Sequence, residues 1–265
     1  MLVFPNAKIN LGLNVAAKRP DGYHDIETVF FPVLGLADAL EVVESASFSF
    51  ATSGLPVDCR PDDNLCVKAY RMLANIYNLP PAAIHLHKTI PSGAGLGGGS
   101  SDASFTLVAL NEIFDLRLNA DTLKSFAAKL GSDCPFFIDN VPAKASGRGE
   151  ILAATNVNLN GTWLSIATPD IHVGTREAYA GVTPKPSVVD LAATVGKPPE
   201  EWKNTLQNDF EPSIFARYPA IARIKELFYE SGAVYASMSG SGASVFGIFR
   251  EKPELPFFKW LIVNC

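Results

Sequence analysis

Pro91-Ser92-Gly93-Ala94-Gly95-Leu96-Gly97-Gly98-Gly99-Ser100-Ser101-Asp102-Ala103 is the stretch on which the reading of this chain turns. Five of the seven residues from 93 to 99 are glycine. Without a Cβ the backbone reaches left-handed angles and comes close to a ligand, but ordering it costs more entropy than any other composition. Ile84, Leu86, Lys88 and Ile90 alternate ahead of the loop as a strand. Behind it, Ser100, Ser101 and Asp102 supply N-cap chemistry, and Ala103, Leu107, Leu110 and Phe114 follow at helical spacing. That pattern predicts a helix beginning near Ser101. A strand, a loop of free N–H groups and a helix N-terminus together form an anion site, above all for phosphate.

Three kinds of phosphate loop compete with a plain glycine turn. The common NTPase loop ends in Gly-Lys-Ser/Thr, whereas Gly99 is followed by Ser100. The dinucleotide fingerprint is matched by Gly93, Gly95 and Gly98, but it needs a carboxylate at the end of the next strand. Asp115, at the right distance, falls at the end of the same helix. A turn that only reverses the chain does not require five glycines. The remaining class is a glycine loop between a strand and a helix, closed by Ser-Ser-Asp.

The rest of the chain bounds what such a site serves. Its 265 residues are 48% hydrophobic with a net charge of −5, enough for one large or two modest domains. No Lys/Arg run interleaved with aromatics suggests a nucleic-acid surface, and no apolar run is long enough for a membrane span. The first residues do not read as a secretory leader. Cys59, Cys66, Cys134 and Cys265 are sparse and lack CxxC spacing, which favours a reduced, cytoplasmic protein without a structural metal.

Residues 2–16 read as strand, brief polar break, strand, and Arg19-Pro20-Asp21-Gly22 as a turn. Further strands are expected at 26–34 and 39–50, and a helix over 64–78 capped by Asp63. Asp121 is placed at the start of a helix running to Leu130. In the second half Trp163–Ala167 reads as a strand, 181–205 as loops with short helices, 219–230 as an amphipathic helix, and 233–237 and 244–249 as strands around Ser239-Gly240-Ser241-Gly242. Strands and helices mix without strict alternation, giving an α+β class. A composition shift near 140–155 sets the expected boundary between domains 1–152 and 153–265.

Single residues gain meaning only together. Lys8 sits among alternating apolar residues, where an unpaired ammonium is costly, though a snorkelling lysine at a strand edge fits as well. Asn10 lies on the same face. Tyr23 and His24 follow Asp21-Gly22 and alone are ordinary turn residues. Asp133, in Leu130-Gly131-Ser132-Asp133-Cys134-Pro135-Phe136-Phe137, is a carboxylate in an apolar run that alone reads as a cap.

The loop resembles that of the GHMP kinases, which phosphorylate small molecules with ATP. PNAKINLGLNV at 5–15, DGYH at 21–24, KTIPSGAGLGGGSSDA at 88–103, LGSDCPFF at 130–137, QNDFE at 207–211 and MSGSGASVFGIF at 238–249 carry the resemblance over nearly the whole chain. The first two motifs resemble the branch whose acceptor is the 2-hydroxyl of a methylerythritol unit on a cytidine diphosphate, in isoprenoid precursor synthesis. The resemblance implies a two-domain α+β fold with the active site in the cleft between the domains. It implies Lys8 and Asp133 as catalytic residues, with Asp133 orienting the hydroxyl and taking its proton late. Lys8 would hold Asp133 and offset charge on the moving phosphoryl. The loop Pro91, Ser92, Gly93, Ala94, Gly95, Leu96, Gly97, Gly98, Gly99, Ser100 and Ser101 would cradle the phosphates of ATP, with Lys88 and Asn64 near the adenine. Asn10 and Thr175 would lie on the acceptor side, Tyr23 and Tyr179 would stack on cytosine, His24 would read its edge, and Gly240 and Ser241 would approach with backbone groups. Mg2+ would bridge phosphate oxygens and keep most of its waters, since no carboxylate cage stands out in the sequence. The implied partner is this small molecule, with no nucleic acid or membrane, and the chain a monomer or homodimer.

Overall fold

The computed structural model describes residues 1–57, 59–255 and 260–264. In chain order the elements are β1 (Leu2–Val3), β2 (Asn6–Lys18), β3 (His24–Ala37), β4 (Ala39–Glu44), β5 (Ser49–Gly54), α1 (Leu65–Tyr77), β6 (Ala82–Lys88), α2 (Gly98–Ile113), α3 (Ala120–Leu130), α4 (Phe136–Asp139), β7 (Ala143–Ser146), β8 (Ile151–Ala154), β9 (Trp163–Ala167), α5 (Thr175–Ala180), α6 (Leu191–Val195), α7 (Glu211–Arg217), α8 (Pro219–Glu230), β10 (Tyr235–Met238), β11 (Val245–Phe249) and β12 (Trp260–Asn264). They gather into two compact units, 1–8 with 32–92 and 97–141, and 9–31 with 93–96 and 142–265. The units interleave along the chain instead of dividing once at 152/153. The reason is that β2 and β3 are long strands, each contributing residues to both.

The first unit is built on a sheet of order β1-β4-β6-β5. β4 pairs antiparallel and β5 parallel with β6. Alternation explains its one buried face: Leu40 and Val42 of β4 and Ala82, Ile84 and Leu86 of β6 point into one core, while Glu41, His85 and His87 between them are exposed. Cys66, Ala69 and Leu73 of α1 and Ala103, Leu107 and Leu110 of α2 close over that face. Asn64, not Asp63, caps α1: its side chain accepts from the Cys66 N–H, while Asp63 ends a preceding 3-10 turn and pairs with Arg60. Asn119 likewise caps α3 through the Thr122 N–H.

In the second unit two sheets of order β2-β3-β7-β8 and β10-β11-β9-β12 form among the described residues. Leu13, Val15 and Ile26 share a core with Val245 and Phe249 of β11 and with Ile221, Ile224 and Phe228 of α8. The last strand, β12, pairs antiparallel with β9 in this unit, Trp260 in register with Ala167; Cys265 lies outside the described residues.

Candidate active site

The glycine loop turns into α2 earlier than the hydroxyl residues suggested. The N-cap is Gly97 at φ +71°, and the helix begins at Gly98, three residues before Ser101. Ser101 and Asp102 are therefore buried within the first turns instead of capping them. A left-handed N-cap is cheap only for glycine, which is why the cap lies inside the glycine run. The first backbone bond is Ser101 N–H to the Gly97 carbonyl at 2.9 Å. The amides of Gly98, Gly99 and Ser100 consequently have no partner in the helix and are free to donate outward.

What surrounds each glycine separates packing from ligand approach. A Cβ at Gly97 would stand 3.0 Å from both Lys8 Cγ and Phe137 Cζ. At Gly98 it would meet Ile90 at 2.9 Å and the Lys88 ammonium at 3.2 Å. At Gly99 it would meet nothing within 4 Å, and Gly99 is exposed. Gly97 and Gly98 are glycine because protein lies against them; packing gives no such reason at Gly99.

Lys8, in the buried first half of β2, brings its Nζ to 3.4 Å from Asp133 Oδ2. The Lys8 side chain is 4% exposed and that of Asp133 30%, so a buried cation holds a carboxylate that still faces outward. Asp133 lies in the tight turn before α4, where the Cys134 N–H donates to the Gly131 carbonyl at 3.2 Å. The buried Ser104 hydroxyl of α2 donates to the Cys134 carbonyl at 2.7 Å and ties that turn to the phosphate-loop helix. The structure thus brings together Lys8, Asp133 and Gly97, which are distant in sequence. Burial also pushes the Cys134 thiol up to about 12.

Lys88 is 3% exposed and lies between two carboxylates, Asp38 and Asp102, the latter at 2.7 Å. The sequence reading placed it near the adenine; here its ammonium faces inward because both anions are buried with it. Asp38 also accepts the N–H groups of Thr89 and Ile90 at 2.6 and 2.8 Å. Burial alone lowers Lys88, but Asp102 and Asp38 together raise it above the ordinary lysine value. Burial pushes Asp102 up to about 7 against the pull of Lys88, since one cation is shared by two anions. Asn64, the other adenine candidate, is buried and spends its side-chain oxygen on the α1 cap.

The remaining site residues lie in the second unit. Gly95, at φ +79°, passes so close to the 238–242 turn that a Cβ would lie 2.0 Å from the Ser239 carbonyl. The Ser239 hydroxyl donates to the Gly95 carbonyl at 2.8 Å, and the Ser244 N–H to the Ala94 carbonyl at 3.1 Å. Asn10 is buried, accepts from the Ser239 hydroxyl at 3.4 Å and donates to Thr28 at 3.0 Å. Gly240 follows at φ +55°, 3.5 Å from the Asn10 side-chain oxygen when a Cβ is added, and Ser241 is half-buried. His24 and Tyr179 stack on each other, centroids 4.5 Å apart at 17°, and Tyr179 meets Phe210 edge-on at 4.9 Å. Tyr23 is 55% exposed and lies under the Arg148 guanidinium instead of joining that stack. Thr175 is the exposed first residue of α5.

Sequence reasoning missed four participants. Asp38 had no motif to mark it. His172 lies against Gly93, its Cε1 3.1 Å from an added Cβ. Asn208 donates to both the Met238 and Gly240 carbonyls at 2.8 Å, fastening the second glycine turn. Glu211 accepts from the Met238 N–H at 2.8 Å and pairs with Lys225 at 2.6 Å. The last two fall in the QNDFE motif, which was the available signal. Asp115 follows the end of α2, so the dinucleotide reading gains no strand carboxylate.

Comparison with known proteins bears on this geometry. The GHMP kinases N terminal domain model matches residues 64–148 and the GHMP kinases C terminal model residues 191–257. A 4-diphosphocytidyl-2-C-methyl-D-erythritol kinase of Azobacteroides pseudotrichonymphae is 51% identical, over 97% of this chain and 96% of that protein. The protein of the same name from Bacteroides thetaiotaomicron is 50% identical, over 98% and 96%. A crystal structure of 4-(cytidine 5'-diphospho)-2C-methyl-D-erythritol kinase superposes with a TM-score of 0.77 at 31% identity, covering 93% of this chain and 89% of that one. Homoserine kinase from Cytophaga hutchinsonii, at a TM-score of 0.65 and 18% identity over 92% and 84%, shares the fold.

Proposed function

The chain belongs to the GHMP kinases, in their 4-diphosphocytidyl-2-C-methyl-D-erythritol kinase branch, and from that premise we propose how its residues divide the work. The enzyme uses ATP to phosphorylate the 2-hydroxyl of 4-diphosphocytidyl-2-C-methyl-D-erythritol, a step toward isoprenoid precursors. Asp133 receives the acceptor hydroxyl as a hydrogen-bond donor and takes its proton as the new O–P bond forms. A carboxylate is a weak base, and a loose phosphoryl-transfer transition state asks for no stronger one. Lys8 fixes Asp133 and places a positive charge beside the transferring group. Alignment of the two reactants is the larger effect, worth roughly 7–11 kcal/mol in favourable systems.

The outward amides of Gly98, Gly99 and Ser100 and the N-terminus of α2 hold the donor phosphates, the dipole adding about 0.3–1 kcal/mol. Among the described residues no group of three or more His, Cys, Asp or Glu side chains is arranged to hold a metal ion. Mg2+ would arrive on the nucleotide and would supply positive charge that offsets the phosphates. On the acceptor side, Tyr179 and His24 offer an aromatic surface and a polar edge for cytosine, the combination that suits an unpaired base. Asn10, Thr175, Gly240 and Ser241 contact the remainder, and Tyr23 lies at the rim. Among the described residues no helix is long and apolar enough to cross a membrane. The enzyme acts in the cytoplasm on a small molecule, as a monomer or homodimer.

The observation that carries this assignment is the Lys8–Asp133 pair against Gly97. The test is ADP release with ATP and a panel of cytidylated and uncytidylated polyols. Turnover confined to the cytidylated methylerythritol supports the assignment. Equal turnover without the cytidine part would remove the role given to His24 and Tyr179.

A further inference from the structure

Beneath the phosphate loop lies a group of charges that the chemistry above does not use. Lys88 ends β6, Asp38 sits between β3 and β4, and Asp102 faces them from the second turn of α2, with all three side chains at most 4% exposed. The ammonium is directly under Gly98, 3.2 Å from where a Cβ would stand. The two anions are not equivalent. Asp38 shares its oxygens among Lys88 and two backbone N–H groups. Asp102 gives one oxygen to Lys88, while its Oδ1 is buried without a hydrogen-bond partner, as is the neighbouring Ser101 hydroxyl. Two acids and one base leave a surplus negative charge within a turn of the amides assigned to the triphosphate.

We propose that Asp102 is a positioning residue for the phosphate donor: with Asp38 it clamps Lys88 under Gly98, and its own charge sets the field at the loop and so the affinity for ATP. The inference rests on the phosphate-loop reading given above. The ionisable groups acting on Asp102 are Lys88 from β6, Asp38 from the β3–β4 junction and the Cys66 thiol from α1. Asp38 is anchored by the Thr89 and Ile90 N–H groups, whereas Asp102 keeps a buried oxygen without a partner. Its buried setting raises it to about 7, which places the change near neutrality. When it ionises, a polyanion above it is held less tightly.

The experiment compares wild type with Asp102→Asn, which keeps an oxygen for Lys88 and removes the charge. ATP dissociation constants are measured by direct titration with saturating Mg2+ and no acceptor, between about pH 6 and about pH 8.5, where the Mg2+ complex of ATP holds a constant charge. We expect the variant to bind ATP about three- to tenfold more tightly than wild type at the alkaline end, with the ratio approaching one at the acid end. The KM for the acceptor should stay unchanged in both. A ratio of one at the alkaline end, or an affinity lost at both ends, overturns the proposal and leaves Asp102 a packing residue. Should the variant fail to fold, the wild-type series alone decides: affinity that does not weaken as pH rises refutes it. Wild-type turnover in the acceptor panel tests the kinase assignment separately, so the two failures are distinguishable.

Discussion

Replacing Gly99 with alanine separates the two reasons for a glycine. Gly99 is the second residue of α2, its φ is not in the left-handed region, and an added Cβ meets nothing within 4 Å. Alanine is favoured over glycine in a helix by about 0.8–1 kcal/mol. The fold should tolerate Gly99→Ala or gain slightly from it. If the amides here grip phosphate, the methyl group occupies the line of approach, and we expect the KM for ATP to rise about tenfold or more, about 1.4 kcal/mol, with the acceptor KM unmoved. Gly95→Ala supplies the contrast. Its left-handed φ costs an L-residue about 1–2 kcal/mol. Its Cβ would lie 2.0 Å from a backbone carbonyl where ordinary contact begins at 3.4 Å, and such overpacking adds about 1–3 kcal/mol. A total of about 2–5 kcal/mol of destabilisation follows, read as a lowered urea midpoint. Urea unfolding followed by tryptophan fluorescence and steady-state kinetics against ATP measure both variants. A Gly99→Ala enzyme with wild-type ATP kinetics would refute the reasoning, because packing gives no other reason for glycine there.

Asp133→Asn and Lys8→Met should each lower kcat by about 10²–10⁴ with folding intact by circular dichroism, and more than a few per cent activity in both would discredit their roles. His24→Ala should raise the KM for the cytidylated acceptor severalfold and leave that for ATP alone; an equal effect on both substrates would point to a general loss of structure. Asp102→Asn should also change how stability depends on pH. A carboxyl raised to about 7 holds its proton in the folded state where the unfolded chain has lost it, so its contribution is fully present below about pH 4 and lost as pH climbs through about 7. Relative to wild type the variant should therefore be more stable at about pH 8 than at about pH 5, by a few kcal/mol at most. Parallel urea midpoints for the two proteins across this range would contradict that sign.

Most elements were legible because their signals are local. Alternation marked β6, and the helical spacing of its apolar residues marked α8. The start of α2 was misjudged because serine and aspartate at a helix N-terminus outrank glycine as caps, whereas here the cap had to adopt a left-handed angle. Lys8 and Asp133 were joined only by the family resemblance, because alone the one fits a snorkelling lysine and the other a cap. The partners of Lys88 were not foreseen: Asp38 is 50 residues away and looks like any turn residue. The stack of His24 on Tyr179 joins residues from opposite halves of the chain, and no periodicity carries that information.

The hydroxyl of Ser104 gives helix α2 a second duty. The segment presenting Asp133 hangs from the same rod whose front end carries the amides proposed to hold the nucleotide. A tilt of that rod would carry the proton acceptor and the donor's cradle along as one piece. Substitutions that shift α2 on its sheet should accordingly disturb occupancy sooner than they disturb the alignment of the reacting atoms.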